Sequence, residues 1–258
     1  MDLGLNGKVA IVAAASKGLG LAVAKGLAAE GCQVAICSRD EEALASASAG
    51  TNFYTQAIDV SDEAAVRAFV DTVREKFGRV DICVTNAGGP PSKTFEQTTT
   101  SDWEAAVQLN LMSTLHFAQA VLPDMKAQGW GRLLTITSVS VKQPLDGLIL
   151  SNSVRAAVAG LVKSLANEYG AFGVTVNNVC PGFTATDRLK SLAGKLAGDQ
   201  GTSAEAVEAA WGAQTAVKRV GTPEEFAAMV VFLASQQAAY VTGASIAVDG
   251  GLVRGLLG

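Results

Sequence analysis

The sequence predicts a doubly wound α/β domain: a parallel sheet of about seven strands with helices on both faces. Three observations carry this expectation. Short apolar runs alternate with amphipathic helical stretches from Lys8 onward, and repeated β-α-β units with short connections build parallel sheets. Hydrophobic residues make up 49% of the 258 and charged residues only 17%, which suits strands covered on both faces. No linker is long or polar enough to divide the chain and no internal repeat occurs, so residues 1–258 are expected to form a single domain.

The elements follow in order. Val9–Ala13 reads as the first strand, and Gly18–Glu30 as a helix with Leu19, Ala22, Val23, Gly26 and Leu27 on one face. Val34–Cys37 and Phe53–Ile58 are the next strands. Asp62–Phe77 is helical, with Ala65, Val66, Phe69, Val70 and Val73 inward, and Val80–Thr85 is strand four. Ser101 with Glu104 has the spacing of a capping box, and a long helix is expected from there to about Ala127. Leu133–Thr137 is a buried strand, followed by Ser138 and then by a helix from near Leu148 to Glu168. Val174–Cys180 is a further strand. Thr222-Pro223-Glu224-Glu225 is a second capping box, with proline at the first helical position and a helix to about Ser235. Ala244–Val248 is the last strand. Between Phe183 and Gly221 almost forty residues carry no strand signal, and Thr202 with Glu205 can start a short helix there. An insertion of that length at a sheet's carboxyl edge is expected to act as a substrate lid over 183–221.

The totals exclude several classes. A formal net charge of −4 with no basic cluster argues against a nucleic-acid surface. Met1-Asp2-Leu3-Gly4 lacks the basic-then-apolar order of a signal peptide, and no apolar run approaches the roughly 18 residues of a membrane span. A cytoplasmic location is expected. Cys32, Cys37, Cys83 and Cys180 form no C-x-x-C pair and read as buried free thiols. With His116 as the single histidine, neither a Ser-His-Asp triad nor a multi-histidine zinc site can be built, and no metal is expected.

Candidate function concentrates at two places. Ala13-Ala14-Ala15-Ser16-Lys17-Gly18-Leu19-Gly20 joins the first strand to the first helix. Glycine lets backbone approach a phosphate, and the helix amides turn a partial positive charge toward it. The second place is Leu133–Glu168, where a serine at a strand's carboxyl end faces the first turns of the next helix.

With these residues in place, the sequence resembles the short-chain dehydrogenase/reductase family, particularly members similar to 3-oxoacyl-acyl-carrier-protein reductases. The resemblance implies a Rossmann-type fold and spans nearly the whole chain. That family carries T-G-x-x-x-G-x-G at the phosphate loop; Gly18 and Gly20 match, while Ala13 and Ala14 replace the leading Thr and Gly. The added methyl is expected to shift the loop slightly without abolishing binding. The resemblance implies that Asp59 and Val60 meet an adenine ring. Asn86-Ala87-Gly88 would form the wall beside the adenosine ribose. Pro181-Gly182 with Thr184 and Thr186 would hold the nicotinamide carboxamide, and Asp249-Gly250-Gly251 matches the family's terminal D-G-G. The family's acidic position at the end of strand two, which selects NAD(H), falls on Ser38. Arg39 follows and can clamp a phosphate, and Lys17 lies in the phosphate loop, so NADP(H) is expected over NAD(H).

The family's catalytic serine, tyrosine, lysine and asparagine fall on Ser138, Ser151, Arg155 and Asn110. The spacing of thirteen and then four residues is kept, and the chemistry is changed. Arg155 can bond ribose hydroxyls and stabilise an oxyanion, but with an ordinary pKa above about 12 it cannot pass a proton. A serine is a far poorer acid than a phenol, and losing a positioned general acid removes about 10²–10⁴-fold in rate. Tyr54, Tyr169 and Tyr240 are remote in sequence, and Lys142 reads as a surface residue. The leading expectation is an NADP(H)-dependent oxidoreductase reducing a small, partly apolar carbonyl compound with an atypical active site. The alternative is a catalytically lapsed NADP(H)-binding protein, a sensor or an oligomer subunit. A non-redox lyase or hydrolase on the same fold is a third and remoter reading. The resemblance also implies a homo-tetramer or homo-dimer, packed through the helices that carry Asn110 and Ser151. Ala156, Ala157, Ala159 and Gly160 would permit close contact there, or would equally suit a face packed on the sheet.

Overall fold

The computed structural model describes residues 1–256. Seven parallel strands run β1 (Val9–Val12), β2 (Gln33–Ser38), β3 (Tyr54–Ala57), β4 (Ile82–Thr85), β5 (Gly131–Ile136), β6 (Val174–Pro181) and β7 (Ser245–Val248). Their order across the sheet is β3-β2-β1-β4-β5-β6-β7. The order reverses beside β1, the place where open α/β sheets leave a crevice. The hydrogen bonds show that crevice opening. Past the end of β1, Ala13 N–H donates to Val84 O on one side at 2.9 Å, and Ala15 N–H to Cys37 O on the other at 3.0 Å.

Alternation along the strands sorts the core onto two faces. Ala10 and Val12 of β1 pack with Val34 and Ile36 beneath α1 (Gly18–Ala29) and the late helix Pro223–Ala234, through Val23, Leu27, Phe226 and Val230. Val9 and Ile11 turn the other way. They meet Phe69, Val70, Phe117, Val121, Val158 and Val162, which come from Glu63–Phe77, Ser113–Gln128 and Ile149–Tyr169. Phe69 and Phe117 are fully buried, each stabilising the fold by about 1.5–3 kcal/mol relative to exposure.

The helices take labels in chain order. After α1 comes α2 (Glu41–Ser48), which the sequence reading passes over. Its start is marked by Asp40, whose carboxylate accepts from Ala43 N–H at 3.0 Å, and by Glu41 and Glu42 in the first turn. Then follow α3 (Glu63–Phe77), α4 (Thr100–Ala106), α5 (Ser113–Gln128), α6 (Ile149–Tyr169), α7 (Asp187–Gln200), α8 (Ala204–Gln214) and α9 (Pro223–Ala234).

Two expectations at helix starts shift. The capping box of α4 uses Thr99 and Asp102, not Ser101 and Glu104, because Thr99 is the last extended residue and its hydroxyl reaches Asp102 N–H. α4 and α5 are joined without a break by wider π-type turns over Val107–Met112, so the single long helix holds with a local distortion. In the 183–221 insertion the cap of α8 is Ser203, not Thr202. That insertion carries two helices, not one short one. They close their own small core through Ala193, Ala197, Val207 and Trp211, and Trp211 stacks on Phe183 with ring centroids 5.3 Å apart. The insertion leaves and returns at one neck, where Ala185 N–H donates to Gly221 O and Gly221 N–H to Phe183 O. Among the described residues no helix is long and apolar enough to cross a membrane.

Candidate active site

A cleft of about 870 Å³ lies along the carboxyl ends of the strands. Of the residues singled out in the sequence, it is lined by Ser16, Lys17, Gly18, Leu19, Ser38, Arg39, Asp59, Val60, Asn86, Ala87, Gly88, Ser138, Ser151, Arg155, Pro181, Gly182, Thr184 and Thr186. Gly20 and Asn110 stand just outside the lining.

One end is built from the phosphate loop. Lys17 precedes α1 in extended conformation and offers no side-chain cap, leaving the first amides of the helix to face a ligand. Ala14 holds a left-handed φ of +48°, the conformation that glycine adopts without strain. The alanine thus accepts a strained backbone at the turn. Gly20 packs under the loop, where a Cβ would come within 2.8 Å of Ala14 O. The same oxygen accepts from Asn86 Nδ2 at 3.3 Å, tying the Asn86-Ala87-Gly88 segment to the loop. Nearby, Asp59 accepts from Ser61 N–H and Oγ–H at 2.9 and 2.7 Å. These bonds, with the Arg39 charge after them, hold its carboxyl below the usual range. Ser38 is buried and pairs loosely with the Asp40 backbone, while Arg39 is exposed at the rim.

The other end is apolar, lined by Pro90, Leu145, Leu148, Phe183, Leu189, Leu192 and Leu252. Ser138 stands at its floor, half-buried, just past β5. Its Oγ accepts from Ser140 N–H at 3.1 Å, which leaves its own O–H free to donate. Ser151 and Arg155 project from one face of α6, four residues apart. The Ser151 hydroxyl pairs with that of Ser140 at 3.3 Å. Arg155 Nη1 donates to Ile136 O at 3.3 Å. Burial, then the positive charge of Arg188, push its pKa down to about 10, which still leaves it charged at neutral pH.

Asn110 lies within the π-type turns, buried, with its Nδ2 donating to Ala106 O at 3.3 Å. Ser140 and Arg188 are additions that the sequence reading missed. Arg188 comes from the first turn of α7, and its Nη1 reaches Gly89 O across the cleft at 3.4 Å. Among the described residues no tyrosine lines the cleft; neither does Lys142, nor His116, which is buried in α5. The four cysteines are buried and free, and burial pushes Cys32 and Cys37 up to about 12. Among the described residues no group of His, Cys, Asp and Glu could hold a metal ion.

Comparison with known proteins agrees with this geometry. A family model described as Enoyl-(Acyl carrier protein) reductase matches residues 13–253. The chain is 37% identical to the short-chain reductase protein NovJ of Streptomyces niveus, over 94% of this chain and 93% of that protein. It is 34% identical to the 3-oxoacyl-[acyl-carrier-protein] reductase FabG of Escherichia coli (strain K12), over 97% and 99%. Its structure is similar to that of L-sorbose reductase from Gluconobacter frateurii complexed with NADPH and L-sorbose. The TM-score is 0.95 at 32% identity, covering 99% of this chain and 100% of that one. An actinorhodin polyketide ketoreductase solved with NADPH gives a TM-score of 0.91 at 31% identity, covering 96% and 98%.

Proposed function

The chain belongs to the short-chain dehydrogenase/reductase family of oxidoreductases, and from that premise we propose an NADP(H)-dependent reductase of a small, partly apolar carbonyl compound. The observation that carries this reading is the convergence of a phosphate-type loop, Ser138 and the Arg155 cation in one cleft. The residues fit the cofactor. The glycine cradle at Gly18 and Gly20 and the open amides of α1 suit a diphosphate. Arg39, with Lys17 and Ser38, suits a ribose 2′-phosphate. Asp59 and Val60 take the adenine end, beside Asn86, Ala87 and Gly88, while Pro181, Gly182, Thr184 and Thr186 take the carboxamide. Relatives solved with NADPH support the phosphorylated form. When bound, the cofactor supplies the hydride.

The chain's own residues do the rest. Ser138, its oxygen already accepting from Ser140 N–H, donates its hydroxyl proton as a hydrogen bond to the substrate oxygen. Arg155 holds ribose hydroxyls and places a fixed positive charge where negative charge develops on that oxygen. Neither surrenders a proton. Ser151 is too weak an acid to do so, and the proton reaches the oxygen from water. Such a site suits activated ketones or imines better than simple ketones. Leu189 and Leu192, on the insertion that we read as a lid, cover the body of the substrate at the apolar end. Four buried free thiols suit a cytoplasmic setting, and helices α5 and α6 are the faces through which a homo-dimer or homo-tetramer would pack.

The test is NADPH consumption against β-keto esters, diketones, quinones and imines. Turnover with at least one class supports the reading; none above background defeats it. The absence of a tyrosine from the lining favours a second reading, an NADP(H)-binding protein that no longer turns over. The S151Y/R155K double variant separates the two. Activity appearing only in that variant identifies a lapsed catalyst, and loss of an existing activity shows Ser151 and Arg155 at work.

A further inference from the structure

Two guanidinium groups face the apolar end of the cleft, and neither has an acidic partner. Arg155 is 7% exposed and makes one hydrogen bond, to Ile136 O. Arg188 enters from the opposite wall, exposed at the mouth, and its side chain hydrogen-bonds only to Gly89 O. Among the described residues no carboxylate lies within ion-pair distance of either. The contrast with Arg132 is instructive. That arginine is also buried, and it spends its donors on the carbonyls of Gly131, Gly173 and Ser235, with its guanidinium over the Trp130 ring. Arg132 is satisfied by the fold; buried Arg155 is not, and Arg188 stands exposed at the mouth with its charge open to a ligand.

A cation withdrawn from water costs free energy unless it is paired, and a second like charge in the same cleft adds to that cost. The acids that line the cleft do not relieve it. Asp59 is held by Ser61, and Asp40 caps α2 at the far end. Asp187 sits exposed at the first position of α7 without an ion pair. The cofactor's phosphates have other candidates, in Lys17, Arg39 and the amides of α1.

We propose that the substrate is a carbonyl compound bearing a carboxylate, its anionic end held by Arg188 at the mouth and its carbonyl at Ser138 above Arg155. This rests on the reductase reading and narrows it. Phe183, Leu189 and Leu192 line the apolar space for the body of the molecule. Reduction carries hydride from NADPH to the carbonyl carbon and a proton from water to its oxygen, giving the hydroxy acid and NADP⁺ with the carboxylate unchanged. A bidentate guanidinium–carboxylate pair supplies both charge and orientation.

The test compares benzoylformate with its methyl ester in wild type, R188L and R188K, alongside NADPH affinity by fluorescence titration. Calorimetry of mandelate binding to the NADP⁺-loaded protein gives a readout without turnover. The wild type is expected to prefer the acid in kcat/KM. R188L should lower the acid-to-ester ratio about 10- to 100-fold, the usual worth of hydrogen bonds to a charged group, and R188K should lie between. An unchanged ratio, or reduction of the ester alone, overturns the proposal. So does a tenfold loss of NADPH affinity in R188L with the ratio intact, which would assign Arg188 to the cofactor's diphosphate. If neither compound turns over, mandelate binding that R188L abolishes upholds the anion site and leaves the reductase reading to the wider carbonyl panel; no mandelate binding overturns the anion site itself.

Discussion

Ser151 and Ser140 form a buried hydroxyl pair, Oγ to Oγ 3.3 Å, across the gap between α6 and the loop after β5. Ser140 also donates its backbone N–H to Ser138 Oγ. The three serines are thus one connected group, with Ser140 as the link. A phenol at position 151 would project into the cleft; the short serine side chain turns to its neighbour. The least buried member of the group is Ser138, and its hydroxyl proton is the one left for a substrate.

Ser138→Ala tests that assignment. Removing a donor aimed at a developing oxyanion typically costs about 10²–10³-fold in kcat. The variant should lose activity on that scale in steady-state kinetics and keep its NADPH affinity within about threefold, since Ser138 meets the substrate rather than the cofactor's phosphates.

Arg39 tests the cofactor preference. It stands exposed at the rim, close enough to Asp59 to act on its carboxyl. Arg39→Ala should weaken NADPH binding about 10- to 100-fold, the loss of charge-assisted bonds, and leave NADH binding nearly unchanged. Equal losses for both cofactors would count against a 2′-phosphate contact.

Ala14 carries strain that glycine would not. Its φ of +48° lies in the left-handed region, which costs an L-residue about 1–2 kcal/mol, partly offset by the greater freedom of an unfolded glycine. Ala14→Gly should stabilise the apo protein by about 0.5–1 kcal/mol in urea titration, raising Tm by about 1–3 °C. A fall in stability would show that the alanine methyl makes packing contacts worth more than the strain.

Asp102 gives the acid limb of stability. Lys93 first, then Thr99, hold its carboxyl down to about 2. The folded value lies below the unfolded one of about 3.9, so the contribution is fully present above that pH and is lost as pH falls toward about 2. Thermal scans between pH 5 and about 2.5 should show a shallower loss of Tm in D102N than in wild type.

How much of this was legible in the sequence follows from the range of each interaction. The seven strands, their parallel arrangement and the glycine loop were readable because hydrophobic period and turn residues are local signals. The helix starts slipped by one or two residues because several Ser and Thr residues compete at each, and only backbone geometry selects Thr99 over Ser101 and Ser203 over Thr202. Helix α2 was missed although Asp40-Glu41-Glu42 is a legible start, because its eight residues have a weak apolar face. Ser140 and Arg188 could not be read: each matters through a partner brought close by the fold, Ser151 on α6 and Gly89 after β4.

The packing of α1 on α9 bears on how the protein is made. Gly26 of α1 sits so close to Val231 of α9 that a Cβ would come within 2.9 Å of it, and Phe226 and Val230 complete the cover over β1. The phosphate loop leaves the ribosome well ahead of the helix that buries its supporting face. During synthesis the nascent N-terminal half therefore waits with that apolar face uncovered. Competence to bind cofactor arrives late and at once, so a protein stalled before α9 is a client for chaperones rather than a weak enzyme.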